Sequence, residues 1–434
     1  MKKTIYLTSI IFTCIVTQIQ AQFTISGEIR PRTEFRNGFK KLTTEGTDAA
    51  FFTEQRSRLY FDYTADKYKI KIALQDVRIW GENGQIHKTD NGMSTISEAW
   101  SQVFVSDKSS LKFGRQIISY DNQRFLGGLE WALQGRRHDA LLYIYNNSEA
   151  KSQLHVGVAF NQNVNEPVAL TGTTYPLQNS GKDVYHATNN YKTMQYAWYH
   201  KDFEGGKYSL LAFNEGRQNE AEEIAFRQTF GFNGEKKFGS VALGAELFYQ
   251  TGKVAPGAGV KKDVSAYLMA LNATFKTSVT PVTIGVDYLS GNDMGNTNKQ
   301  NGFAPAFGTN HAFYGFMDYF YVGNGFGNVG LTDVYVKTKF KTGEKSNLMI
   351  HLHDFMSSSK ILEGDGITEA SSQLGTEIDL IYTKIISPEV TFNLGYSQLF
   401  ASSSMELLKG GDKGHLQNWA FAMIAVKPTF FSTK

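Results

Sequence analysis

Apolar and polar residues change places at every step from Phe23 to Arg36. Phe23, Ile25, Gly27, Ile29, Pro31, Thr33 and Phe35 interleave with Thr24, Ser26, Glu28, Arg30, Arg32, Glu34 and Arg36. A period of two sends successive side chains to opposite faces of an extended strand, so one face is greasy and the other charged. The same alternation returns at Leu59, Phe61 and Tyr63, then at Tyr68, Ile70, Ile72 and Leu74. It continues through Leu154 to Phe160, Val241 to Tyr249, Tyr267 to Phe275, Val282 to Tyr288, Leu348 to Leu352, Ile378 to Tyr382 and Val390 to Tyr396. The last apolar row is Trp419, Phe421, Met423 and Ala425, ending near Phe430 and Phe431. Pro31 would cost a ladder bond in a closed sheet, so a bulge is expected there.

The connections separate a soluble sandwich from a membrane barrel, because outer-membrane barrels join strands by short turns at one end and long loops at the other. Short turns are expected near Ala65-Asp66, Asp107-Lys108, Asn146-Asn147, Glu204-Gly205-Gly206, Asn233-Gly234-Glu235, Thr277-Ser278, Thr342-Gly343-Glu344 and Ser387-Pro388. Long loops fall between them, over 37–50, 81–96, 120–135, 162–190, 216–223, 252–262, 291–330, 356–373 and 401–416. Eight turns and nine loops join eighteen strands, and an even count places both barrel ends on the periplasmic side. The fold class expected is therefore all-β: a transmembrane antiparallel up-and-down β-barrel of about 18 strands. A soluble β-sandwich shares the period of two and differs in lacking the turn asymmetry.

Ahead of this pattern, Lys2 and Lys3 precede an apolar run from Ile5 to Ile19 and then Gln20-Ala21, the three zones of a signal peptide. Residues 1–21 are read as a cleaved leader and 22–434 as one continuous barrel, with no linker or composition break. Cys14 is the one cysteine and lies in the leader, so no thiol chemistry is expected in the mature chain. No later apolar stretch is long enough to span as a helix. Removing the leader leaves 42 Lys and Arg against 41 Asp and Glu, a balance that names no partner; nucleic acid is not expected.

A barrel of this width is too wide for side chains to fill, so function is expected in its lumen. Ten of the twelve arginines lie between Arg30 and Arg137. Arg30, Arg32, Arg56 and Arg58 take the polar parity of the first two strands and should form an inward ladder, suited to bidentate contact with carboxylates and to favouring anions. The competing reading is that Glu28, Glu34, Asp62, Asp76 and Glu98 neutralise them in a wall that only stiffens the barrel. His351 and His353 share a strand face and Asp354 follows, but two imidazoles without a placed third ligand do not make a metal site, and neither metal nor cofactor is expected. No G-x-S-x-G, phosphate loop or H-E-x-x-H occurs, so the chain is read as a non-enzyme. Trp80, Trp100, Trp131, Trp198 and Trp419 could stack sugars, with interfacial girdles the default.

Several segments together carry a family resemblance: Ser26 to Phe35, Gln55 to Leu59, Leu74 to Trp80, Glu98 to Trp100, Phe113 to Glu130, Gln134 to Asp139, Asp287 to Asp293, Leu374 to Leu380 and Lys427 to Phe431. The chain resembles the alginate export family of outer-membrane porins over its whole mature length, most densely before residue 140. That resemblance implies localisation in the outer membrane as a monomeric eighteen-strand barrel with an arginine-rich constriction that passes an anionic uronate polysaccharide. Arg30, Arg32, Arg56, Arg58, Arg115, Arg124, Arg136 and Arg137 would be its carboxylate-contacting residues. Its partners would be outer-membrane lipid, an acidic polysaccharide or other anionic solute, and periplasmic secretion components. One departure concerns gating: where the family's best-known member has a long periplasmic plugging loop late in the barrel, this chain has the short Ser387-Pro388 turn. A general diffusion porin, or a surface-binding barrel acting through loop 291–330, are the other functions this scaffold could serve.

Overall fold

The computed structural model describes residues 21–86, 89–161, 191–219, 223–254, 260–296, 299–322 and 328–433. The expected leader lies outside them apart from Ala21. The first wall runs through β1 (Gln22–Asn37), β2 (Ala50–Thr64), β3 (Tyr68–Ile79), β4 (Met93–Phe104), β5 (Ser109–Gln116) and β6 (His138–Asn147). Next come β7 (Ser152–Phe160), β8 (Thr193–Phe203), β9 (Gly206–Gln218), β10 (Ile224–Phe238), β11 (Val241–Val254) and β12 (Lys262–Phe275). The circuit ends with β13 (Val282–Leu289), β14 (Leu331–Gly343), β15 (Ser346–Met356), β16 (Gln373–Ser387), β17 (Val390–Ala401), β18 (Gln417–Val426) and β19 (Thr429–Ser432).

From β1 to β18 each strand pairs antiparallel with its chain neighbours, and β1 closes the circle against both β18 and β19. Those last two strands are one wall position broken at Lys427-Pro428, so nineteen strands make an eighteen-position barrel. Closure removes every free edge, which is how a sheet satisfies its backbone polar groups in lipid. None of the described helices is long and apolar enough to cross a membrane.

The outward rows follow the period of two. Ile29, Ile70, Ile72, Leu74, Val156, Val158, Leu243, Leu247, Met269, Leu271, Ile284 and Leu394 are exposed, as lipid-facing residues must be, while their neighbours point into the barrel. Among the described residues, outside which the expected loop 162–190 lies, short turns at one rim and long loops at the other also follow the expectation, with one turn displaced. The turn expected at Asn233-Gly234-Glu235 lies inside β10, and the chain reverses at Gly239-Ser240 instead. Gly234 is there because the Phe232 ring folds over it: a Cβ would sit 2.7 Å from that ring. The bulge expected at Pro31 is absent. Pro31 stays in register opposite Gln55, the ladder to β18 skips Arg30 and Pro31 without changing register, and the register break falls between Ile25 and Ser26 against β19.

The last row reverses face. Trp419 and Phe421 point into the lumen, at 1% and 3% exposure, and Ile424 takes the lipid side. Their inward packing has a cause. Phe421 meets Trp131 edge-on at 5.1 Å, and the Trp419 indole N–H donates to Glu34 Oε2 at 2.8 Å. Trp100, Trp131 and Trp198 are likewise on the inner side; Trp100 donates to Glu98 and Trp198 stacks on Tyr120 at 4.6 Å. Four of the five tryptophans therefore do not build the girdle, and exposed Trp80, whose indole donates to Gln55 at 3.1 Å, joins outward Tyr68, Tyr143, Tyr249, Tyr267, Phe203 and Phe238 in supplying aromatic contact with the lipid side.

Candidate functional site

Two long loops turn inward rather than outward and narrow the lumen. The first covers residues 117–137, after β5, and the second the described residues of 290–330, after β13. They meet in a parallel bridge between Leu126 and Phe307, reinforced by Gly127 N donating to Phe307 O at 2.9 Å and Thr309 N donating to Gln123 O at 2.9 Å. Phe125, Leu126, Phe303, Phe307, Tyr314, Met317, Tyr319 and Phe320 form a nearly inaccessible core between the loops and the wall. Burying apolar side chains of this size stabilises by about 1.5–3 kcal/mol each, which holds the loops in place. Because its aromatics face inward, the described part of loop 290–330 does not display them at the cell surface.

The arginine ladder anticipated on β1 and β2 is present and points inward. Its guanidinium groups hold the first loop. Arg30 donates to the carbonyl oxygens of Glu130 and Trp131 at 2.8 and 3.2 Å, and Arg32 to that of Trp131 at 2.9 Å. Arg56 reaches Leu133 O at 3.1 Å, and Arg58 reaches Gln134 O at 3.1 Å and Glu130 Oε2 at 2.7 Å. Carboxylates complete the set: Arg56 with Glu28 at 2.6 Å, Arg32 with Glu34 at 2.8 Å and with Glu54, and Arg137 with Glu130 at 2.8 Å. Arg32 also lies over the Trp131 ring at 4.2 Å. Of the five neutralising acids anticipated, Glu28 and Glu34 serve the ladder, Glu98 faces Arg137 at 3.8 Å, Asp62 pairs with Lys71 at 3.2 Å, and Asp76 pairs with Arg78 at 2.6 Å. Sequence reasoning missed Glu54 and Glu130.

Arg136 differs from the others. It donates to the carbonyls of Phe307, Gly308 and Gly127, stapling the two loops, and no carboxylate stands within ion-pair distance of it among the described residues. Burial pulls its pKa down to about 10. Glu130, on the same loop, is pushed up by burial and more than compensated by Arg58, Arg137 and Arg56, so it ionises below its ordinary 4.5. Arg124 crosses to the far wall. It bonds Asp287 at 2.6 Å, both oxygens of Glu246 at 3.2 Å and the Tyr314 hydroxyl at 3.1 Å, and it lies 4.0 Å from the centre of the Phe313 ring. Arg115 is a correction. It shares the outward parity of Leu111 and Phe113 and forms a two-bond pair with Asp139, at 2.9 and 2.8 Å, on the outer surface. Of the remaining arginines, Arg36 pairs with Glu34 at 2.8 Å, and Arg217 and Arg227 both pair with Glu215.

Away from the ladder, the inner face of β11 to β16 carries Glu246, Asp287, Asp333, Glu377 and Asp379, all buried. Loop 290–330 seats on this wall through Met317 N, which donates to Glu377 Oε1 at 2.9 Å. Gly315, at φ +78°, lets the backbone come that close, since a Cβ would stand 2.6 Å from the Glu377 carboxyl carbon. Beneath the first loop lies a polar cavity of about 610 Å³, lined by Asp121, Asn122, His200, Lys207, Glu235, Lys237, Glu246 and Asn272 among others.

A closed, lipid-faced barrel with a polar lumen narrowed by inward loops is an outer-membrane channel of the porin class. Solved structures share this architecture across nearly their full length. They include the outer membrane protein OpdK from Pseudomonas aeruginosa, at 12% identity, 94% coverage of this chain, 99% of that chain and a TM-score of 0.59. A BenF-like porin from Pseudomonas fluorescens Pf-5 aligns at 11% identity over 94% and 99%, with a TM-score of 0.61. OccK2 (OpdF) from Pseudomonas aeruginosa, solved in complex with glucuronate, aligns at 12% over 94% and 97%, with a TM-score of 0.59. At these identities the likeness is one of fold. The sequence model described as alginate export matches residues 21–405, and the chain belongs to the alginate export family. No curated protein matches it in sequence.

Proposed function

We propose that this barrel is a passive channel favouring anionic solutes, with acidic, uronate-type oligo- or polysaccharide as cargo. The observation that carries the reading is the inward cluster Arg30, Arg32, Arg56, Arg58, Arg136 and Arg137 beside the loop that narrows the lumen, with Arg124 joining it to the acidic wall. Several of these guanidiniums are satisfied by carbonyl oxygens, which accept hydrogen bonds without cancelling charge. They therefore leave a positive excess on one wall and act on a passing carboxylate through their field more than by direct contact. Family membership and the glucuronate bound by one fold neighbour agree with a uronate cargo. The channel works as a monomer without catalysis, and flux follows the solute gradient.

A general diffusion porin is the second reading, favoured by the carboxylates that already engage Arg32, Arg56, Arg58 and Arg137. Liposome swelling with glucose and glucuronate distinguishes the two. The anion channel passes glucuronate faster once its charge is balanced by a permeant cation, whereas equal rates favour the general porin and overturn the proposal.

A further inference from the structure

We propose that His351, His353 and Asp379 form a binding site for a divalent transition-metal ion in the inner wall of the barrel, beneath loop 290–330. Strand register brings them together. His351 stands directly opposite Asp379 across the β15–β16 ladder, and His353 is one inward position further along β15. One ligand atom from each lies within 4.8 Å of the others, close enough for small side-chain rotations to converge on one ion.

The outer contacts of these side chains leave both imidazole ligating atoms free, while the Asp379 carboxylate also faces the Glu377 carboxyl. His353 Nδ1 donates to both oxygens of Asp333 at 2.9 Å, which fixes the tautomer with the lone pair on Nε2. That Nε2 faces Asp379 Oδ2 at 3.9 Å. The other Asp379 oxygen accepts a hydrogen bond from the Ser397 hydroxyl at 2.5 Å. A histidine held by a carboxylate on its far nitrogen is the arrangement that orients metal-ligating imidazoles. Asp379 Oδ2 and His351 Nδ1 are both buried without a hydrogen-bond partner, although their residues are 1% and 9% exposed. Leaving such atoms unpaired is costly, and an ion would satisfy them together. Two imidazole nitrogens and one carboxylate oxygen suit zinc-like ions rather than calcium or magnesium, which prefer all-oxygen shells.

Charge points the same way. Asp333, Glu377 and Asp379 lie on this inner face beside the ligands, and of the lysines on that face of β14 only Lys337 stands opposite His351, with Lys339 and Lys341 further along the strand, so the immediate surroundings favour a cation. The Phe316 ring of loop 290–330 lies 5.3 Å from His351, and Met317 is bonded to Glu377. A bound ion would thus tie two strands together where the loop sits on the wall.

The test is equilibrium dialysis of the folded, detergent-solubilised barrel, stripped with chelator, against Zn²⁺, with the metal counted per chain. One tightly bound equivalent is expected, lost in His351→Gln and in Asp379→Asn. Asp333→Asn, acting on a positioning residue, should weaken binding by about 10–100-fold. His415→Ala should leave the count unchanged, since it removes only the exposed His415–Asp412 pair, at 2.8 Å. No saturable equivalent, or one that survives both ligand substitutions, overturns the site. If a substitution prevents folding, Co²⁺ in the unaltered barrel decides. An intense four- or five-coordinate visible spectrum supports the site and a weak hexaaquo-like spectrum overturns it.

Discussion

The two inner walls of this barrel hold their loops by opposite means. On β1 and β2 the wall supplies cations, and much of what they bind is backbone carbonyl. On β11 to β16 the wall supplies carboxylates, and they bind the loop's Arg124, the His353 imidazole and a backbone N–H. The difference matters because a carbonyl satisfies a guanidinium without neutralising it, whereas Arg124 is shared between two acids and leaves their side negative. Two walls of opposite sign then border one lumen, and where their charged side chains are buried the field between them is weakly screened. The anion preference proposed for the channel rests on that contrast.

Removing Arg124 tests the acidic side and carries the largest effect. Arg124→Gln leaves Glu246 and Asp287 buried without their cation, at a cost of about 3–5 kcal/mol. Urea unfolding in micelles should show the lowered midpoint, and single-channel conductance should rise as the loop loosens. An unchanged midpoint would mean that the pair contributes little to holding the loop.

On the other wall, replacing Arg30, Arg32, Arg56 and Arg58 together by Gln keeps some donors to the loop carbonyls but removes the charge. Reversal potentials in planar bilayers should move toward cation preference. If they stay where they were, these arginines only stiffen the barrel.

Acid sharpens the comparison through Glu130. Its folded pKa lies below 4.5, so its contribution to stability is complete above that value and is lost as pH falls through the folded pKa. Below about pH 4.5 the latch on loop 117–137 should weaken, seen as noisier conductance, and Glu130→Gln should remove that acid-dependent step. The smallest effect belongs to Arg115→Gln. An outward, exposed pair with Asp139 is worth at most about 1 kcal/mol, and selectivity should not change. A shifted reversal potential would mean that Arg115 reaches the permeation path after all.

Strand alternation and turn asymmetry made the barrel legible, because lipid on one side and water on the other impose a period of two on every wall strand. The same rule fails on β18, where Trp419, Phe421 and Met423 compete with Ala420, Ala422 and Ile424 and both faces are apolar. The packing of Trp131 and the Trp419–Glu34 hydrogen bond on the inner side decide between them. Asn233-Gly234 reads as a turn because that dipeptide favours one, yet Gly234 serves a covering aromatic ring within β10. The ladder on β1 and β2 could be read from parity. Its partner Glu54 shares that parity and stands opposite Arg32, so it was equally readable, whereas Glu130 was not, since it arrives on a loop whose inward fold leaves no periodic signal. Asp379 was hidden similarly: its inward parity is readable, but its place opposite His351 depends on register across loop 357–372.

The most direct measurement is the reversal potential of the unaltered barrel in planar bilayers with KCl at different concentrations on the two sides. A potential of the sign set by chloride permeation agrees with a positive excess at the narrowed lumen. A potential set by potassium contradicts it, because the acidic wall would then govern what passes.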